Sequence, residues 1–126
     1  MAHTYRDLVA WQRAMGLVTE VYRVTQGFPK TELYGLTAQL RRAAVSIPSN
    51  IAEGQARKSY ADFQRFLRNA RGSMVEVETQ LLIARNLGYL EETAARTLLA
   101  QTAELGRILK ALLTALKKQS DAGSDN

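Results

Sequence analysis

Residues 46–54 read SIPSNIAEG, and they lie inside a stretch whose apolar positions Leu33, Leu36, Leu40, Ala44, Ile47 and Ile51 recur at helical spacing. The proline decides how many rods this part of the chain makes. Pro48 has no N–H, and its ring presses on the carbonyl of Ala44, a cost of ~3 kcal/mol or more in a helix interior. Two structures absorb it. The helix continues and kinks, with Ser46 or Ser49 hydroxyls or water meeting the freed carbonyl groups. Or it breaks, with Asn50 capping a new short helix and Glu53 completing NIAE as a capping box. We read a continuous second helix, kinked near Pro48. Carrying the seam on from Leu33, Leu36 and Leu40 puts Ile47, Asn50 and Gly54 on its inner face. A buried Asn must be hydrogen-bonded and can fix register. Gly54, and Gly72 with Ser73 further on, would let backbones approach closely. Pro48, Asn50, Gly54, Gly72 and Ser73 are therefore read as a packing and register device, with a catalytic loop as the alternative.

Outward from this stretch the chain divides into four helical segments. The first runs from about Tyr5 to Gln26, with Leu8, Trp11, Met15, Val18, Tyr22 and Thr25 on one face. Gly27, Phe28 and Pro29 end it, Gly27 being suited to a left-handed C-terminal position. Thr31 is a reasonable N-cap for the second segment, with Glu32 favourable to the helix dipole. Ser59 opens the third, and SYAD resembles a capping box with Asp62 in the Glu/Gln role. Phe63, Leu67, Ala70, Met74, Val77, Leu81 and Ala84 then alternate spacings of four and three, a period suited to bundle packing. The fourth segment runs from about Glu91 to Lys118 on Leu98, Thr102, Leu105, Leu109, Leu112 and Leu116.

The connections are short, which favours antiparallel neighbours. The expected fold is all-α, an antiparallel up-down-up-down four-helix bundle over residues 1–118, with 119–126 as a disordered polar tail. Two long hairpins that open and pair between chains are the competing architecture. Several helices carry a second apolar stripe, Val9, Leu17, Val21 and Val24 among them. Part of it serves a bundle corner; the remainder points to subunit contacts, since monomers rarely leave large apolar patches in water.

Composition narrows the function. The 126 residues contain no cysteine, so disulfide and thiolate chemistry are excluded. No apolar run approaches the ~18 residues of a membrane span, and the N-terminus lacks signal-peptide order; a cytoplasmic protein is expected. The one histidine, His3, sits at the terminus, and there is no Glu-x-x-His pair, zinc cluster or phosphate-binding glycine loop. An enzyme, a metal, a cofactor and a small-molecule substrate are therefore not expected. Glu53, Glu76, Glu78 and Glu104 are read as surface charges or partners of Arg42 and Arg85.

The formal net charge is +5. Arg41, Arg42, Arg57, Lys58, Arg65, Arg68 and Arg71 face only Glu53 and Asp62 between residues 41 and 71, so the surplus is concentrated there. Such a concentration draws polyanions. These seven residues are the candidate RNA- or DNA-binding set, with phosphates as the main contacts and Tyr60 as the best base-stacking candidate. The alternative is a protein-binding scaffold in which Arg41, Arg42, Arg68 and Arg71 pair with acids across subunits.

The blocks LVAWQRAMGLVTEVY, GFPKTELYGLTAQLRRAAVSIPSNIAEG, FQRFLRNARGSMVEVETQL and ARNLGYL occur in this order. Together they resemble the four-helix-bundle proteins named after the 23S rRNA intervening sequences that encode some of them. The resemblance implies a bacterial protein, an antiparallel bundle and a ring-shaped homopentamer, without a defined reaction. A distantly similar group serves as a basic accessory factor to the reverse transcriptase of diversity-generating retroelements, which by analogy implies nucleic-acid binding.

Overall fold

The four-and-three spacing from Phe63 to Ala84 becomes one unbroken helix in the computed structural model, which describes residues 4–123. Four helices carry the fold: α1 (Val9–Thr25), α2 (Leu36–Gln55), α3 (Tyr60–Asn86) and α4 (Glu92–Gly123). Single turns of 3-10 helix precede α1 at Tyr5–Asp7 and α2 at Lys30–Glu32, and there is no strand among the described residues. The helices form a bundle in which α1 and α3 each pack against α2 and α4. Leu17, Leu40, Ile47, Ile51, Leu67, Leu81, Leu98, Leu105 and Leu109 are fully buried where they meet. Each such side chain contributes about 1.5–3 kcal/mol relative to exposure. Buried Thr102 donates its hydroxyl to the Leu98 carbonyl at 2.8 Å, which offsets the cost of burying a polar atom in the seam. Among the described residues no helix is long and apolar enough to cross a membrane.

The helix ends follow local chemistry. Ser59 caps α3, its Oγ accepting from the Asp62 amide at 3.1 Å. The Asp62 carboxylate reaches Arg65 at 3.5 Å. At the other end Gly88 adopts φ 77°, which a glycine enters without steric cost. The Tyr89 amide then donates to the Ala84 carbonyl and the Gly88 amide to the Arg85 carbonyl, closing α3 in a Schellman motif.

Several sequence expectations need correction. Gly27 does not take the left-handed position; α1 ends on Gln26 in a right-handed conformation. The buried face of α1 is Ala10, Ala14, Leu17, Val21 and Thr25, whereas Met15 and Tyr22 of the expected face are exposed and Leu8, Trp11 and Val18 are half-buried. Thr31 caps nothing, since α2 starts five residues later at Leu36. Leu33 is 48% exposed and lies outside the seam. Helix α4 continues through 119–123, the start of the expected disordered tail; Gln119, Ser120, Asp121 and Ala122 contain no helix breaker, and Gly123 is its last residue. Residues 124–126 and His3 lie outside the described residues.

What does cap α2 is the Glu32 carboxylate. Its Oε1 accepts from the Leu36 amide at 3.1 Å, and its Oε2 accepts from the Tyr89 hydroxyl at 3.0 Å. One side chain thus satisfies an orphan N–H of α2 and fastens it to the turn after α3. The Tyr89 phenol is raised above its ordinary 10.0, chiefly because its proton is shared with Glu32, with burial and the carboxylate charge adding to the effect. Glu32→Ala removes the cap and the link to Tyr89, and should lower the urea midpoint. Urea unfolding at neutral pH followed by circular dichroism measures it; an unchanged midpoint would refute the capping role.

Candidate nucleic-acid interface

Pro48 lies inside α2, which runs unbroken from Leu36 to Gln55. The alternative with a fresh cap at Asn50 is therefore not formed. Asn50 is half-buried; its Nδ2 donates back to the Ser46 carbonyl at 2.8 Å and to Ser46 Oγ at 3.0 Å. Ser46 Oγ in turn lies 2.8 Å from Ser73 Oγ on α3, so a chain of three polar residues links the two helices. Gly54 is buried against α3: a Cβ there would sit 2.7 Å from Phe66 Cβ and 2.9 Å from Phe63 Cδ1. Gly72 is different. It is exposed, and nothing lies within 4 Å of where its Cβ would stand, so no close approach within the protomer explains it.

The seven cations do not form one patch. Arg41 is half-buried and occupied by α1: its Nε donates to Thr25 Oγ1 at 2.8 Å, and its guanidinium lies 4.6 Å from the Tyr22 ring centroid. Arg42 lines a polar cleft with Gln39, Ser46, Ser73, Glu76 and Gln80, and also borders the hollow that Arg41 lines. Arg57 and Arg65 both pack on the Phe66 ring, at 4.8 and 4.5 Å from its centroid. Each also has a carboxylate nearby, Glu53 at 3.7 Å and Asp62 at 3.5 Å. Their guanidinium planes cover an aromatic ring, which is why Phe66 can be buried so close to the surface. Lys58 is exposed in the turn between α2 and α3.

Arg68 and Arg71 remain together. They line a groove between α3 and α4 with Gln64, Lys110, Leu113, Thr114 and Lys117. No carboxylate lines it, and among the described residues none of its four cations has an ion-pair partner. The sequence reading missed Lys110 and Lys117. They lie far from the 41–71 concentration along the chain, and only the pairing of α3 with α4 brings the two sets together. Of the acids read as surface charges or partners of Arg42 and Arg85, Glu76 shares the Arg42 cleft, Glu104 pairs with Arg13 at 2.6 Å and Glu53 pairs with Arg57, while Arg85 donates to Asn86. Among the described residues no three His, Cys, Asp or Glu side chains converge to hold a metal ion.

A second surface is apolar. Trp11, Met15 and Val18 of α1 and Val45, Pro48 and Ala52 of α2 line a shallow groove on the outer side of these helices. Val45 also lines the adjoining hollow with Tyr22, Leu33 and Tyr34, so the strip is continuous. Tyr34 is 93% exposed. Of the α1 face expected to enter the core, Met15 and Tyr22 remain outside, Leu8, Trp11 and Val18 lie at the edge of the core, and Thr25 enters it.

Four packed helices with an apolar strip on one side and a basic groove on another define the class, a helical-bundle protein. The chain matches the family model described as 23S rRNA-intervening sequence protein over residues 6–111, and it belongs to that family. Among curated proteins none matches it.

Proposed function

We propose that the protein is a non-enzymatic homo-oligomer, a pentameric ring in the cytoplasm, that binds RNA or DNA through a basic surface. The single observation that carries the nucleic-acid reading is the α3–α4 groove, where four cations meet with no carboxylate in the walls. Unpaired cations in a concave surface bind phosphates and release condensed counterions.

The architecture we infer is up-down-up-down and antiparallel. Glu32 meets Tyr89, Ser46 meets Ser73 and Gly54 meets Phe66, so partners on α3 fall in number as those on α2 rise. Met74 meets Gly106, while Arg68 shares its groove with Lys117, which supports the same sense for α3 and α4. A kink at Pro48 follows from the ring pressing on the Ala44 carbonyl.

Assembly is supported by the apolar strip. A closed ring needs two different patches, each meeting the other on the next subunit. The α1–α2 strip is one. The outer row of α3, with Val75 at 62% exposed and Leu82, Ile83 and Leu87 beyond it, is the other. The number five comes from the family resemblance. A ring would repeat the groove around its axis, and avidity would multiply a modest single-site affinity.

Titration of labelled single-stranded and duplex RNA and DNA at 50 and 200 mM salt tests the function. Binding at low salt, weakened by at least tenfold at the higher salt, is the expected result for a site with several phosphate contacts. Arg68→Glu with Arg71→Glu should abolish most of it while leaving helicity intact. Absence of binding at low salt would leave the scaffold reading.

A further inference from the structure

We propose that the α3–α4 groove is a single-stranded nucleic-acid site, with phosphates on Arg68, Arg71, Lys110 and Lys117 and a base stacked on Tyr60. This rests on the nucleic-acid reading above and adds to it which strand form binds, where, and through which α4 residues.

The geometry begins with helix periodicity. Tyr60, Gln64, Arg68 and Arg71 step by four, four and three along α3, so they share a face. The last three line the groove, of about 280 Å³, and Tyr60 stands one turn before Gln64 at its end. On the opposite wall Lys110, Thr114 and Lys117 step by four and three along α4. Lys110 and Lys117 are two turns apart, about 10 Å at 1.5 Å per residue. The walls therefore hold cations along a line, as a backbone requires, rather than at a point, as a free anion would. Leu113, 9% exposed, forms the apolar part of the lining, against which lysine stems can lie with their ammonium groups in water.

Tyr60 selects the strand form. It is 48% exposed and begins α3 immediately after the Ser59 cap, so its position is set by a formed helix end. An exposed ring at the end of a cationic line offers a stacking surface, and only an unpaired base presents its face to it. Stacking accepts any base, and the groove lining contains no second ring and no acidic acceptor. The site should therefore hold a strand without marked sequence preference. An acidic peptide would satisfy the cations but would leave Tyr60 without a role.

The test uses the full chain and fluorescence anisotropy with a labelled oligouridylate of 15–20 nucleotides and a hairpin duplex of equal charge, across a salt series. Lys110→Gln with Lys117→Gln should weaken single-strand binding about tenfold and lower the slope of log affinity against log salt by about 1.4, two contacts at about 0.7 each. Arg13→Gln with Arg96→Gln removes the same net charge elsewhere and should change affinity by about twofold or less, as screened distant charges do. Tyr60→Ala should weaken the single strand several-fold and the duplex hardly at all, with Tyr60→Phe restoring the difference. All substituted positions are exposed, and circular dichroism verifies the fold. Equal losses in the two charge variants, a Tyr60→Ala effect shared by duplex, or tighter binding of polyglutamate than of oligouridylate would each overturn the site. If the wild-type chain binds no oligonucleotide at low salt, the nucleic-acid function itself fails, an outcome distinct from these.

Discussion

Gly54→Ala is expected to lower the unfolding free energy by about 2 kcal/mol, although alanine is the better helix former by about 0.5–1 kcal/mol. The added methyl would meet Phe66 Cβ at 2.7 Å, Phe63 Cδ1 at 2.9 Å and the Phe63 carbonyl oxygen at 3.3 Å. A Cβ and a backbone oxygen cannot swing aside as a flexible side-chain end would. The start of α3 must therefore move off α2, and with it Phe66, on which Arg57 and Arg65 are stacked. For a domain of this size 2 kcal/mol corresponds to a fall in Tm on the order of 8 °C. Gly72→Ala gives the contrast. It sits in α3 with open space around it, so it should gain about 0.5–1 kcal/mol from propensity alone. Paired thermal melts measure both. Equal and stabilising effects at the two sites would show that α2 and α3 are not packed as closely as described.

Met15→Glu with Val45→Glu is expected to convert the proposed pentamer into folded protomers, lowering the mass in solution about fivefold. Both side chains are exposed on the α1–α2 strip, so charges there leave the protomer core untouched. In an interface between copies the same charges would be desolvated without partners, and copies facing each other would repel. Size exclusion with light scattering, read beside circular dichroism, distinguishes loss of assembly from loss of fold. A variant that stays helical and keeps its mass would place the contact elsewhere.

These two results depend on features that were unequally visible in the sequence. Helices α3 and α4 were legible because one stripe dominates each, and Leu67, Val77, Leu81, Leu98, Leu105 and Leu109 are all buried as their spacing required. Helix α1 carries two stripes. The larger side chains, Trp11, Met15 and Tyr22, drew the assignment, yet the core takes Ala10 and Ala14 with Leu17 and Val21. Small residues let α1 approach α2 and α4 closely, and neither pattern nor hydropathy alone reveals which stripe has that use. The start of α2 was misplaced for another reason. Its cap is the Glu32 side chain, supplied from a 3-10 turn and held by Tyr89 across a gap of 57 residues, so no local signal marks it.

The candidate site was legible by half. The surplus of charge from Arg41 to Arg71 was plain, but it could not show that Arg41 packs on Tyr22 or that Arg57 and Arg65 share Phe66. Phe66 stood off the expected seam, and its arginine cover became apparent only from the ring geometry. Conversely, Lys110 and Lys117 looked like ordinary α4 surface until the α3–α4 pairing set them opposite Arg68 and Arg71. Charge that is concentrated along the chain was dispersed by the fold, and charge dispersed along the chain was gathered.

The proposed self-assembly through the apolar strip underlies both the ring and the avidity assigned to its grooves, so the mass of the wild-type chain in solution is the most direct measurement. Light scattering after size exclusion should give about five times the 14.0 kDa of one chain. A particle of one chain's mass at micromolar concentration would contradict the account.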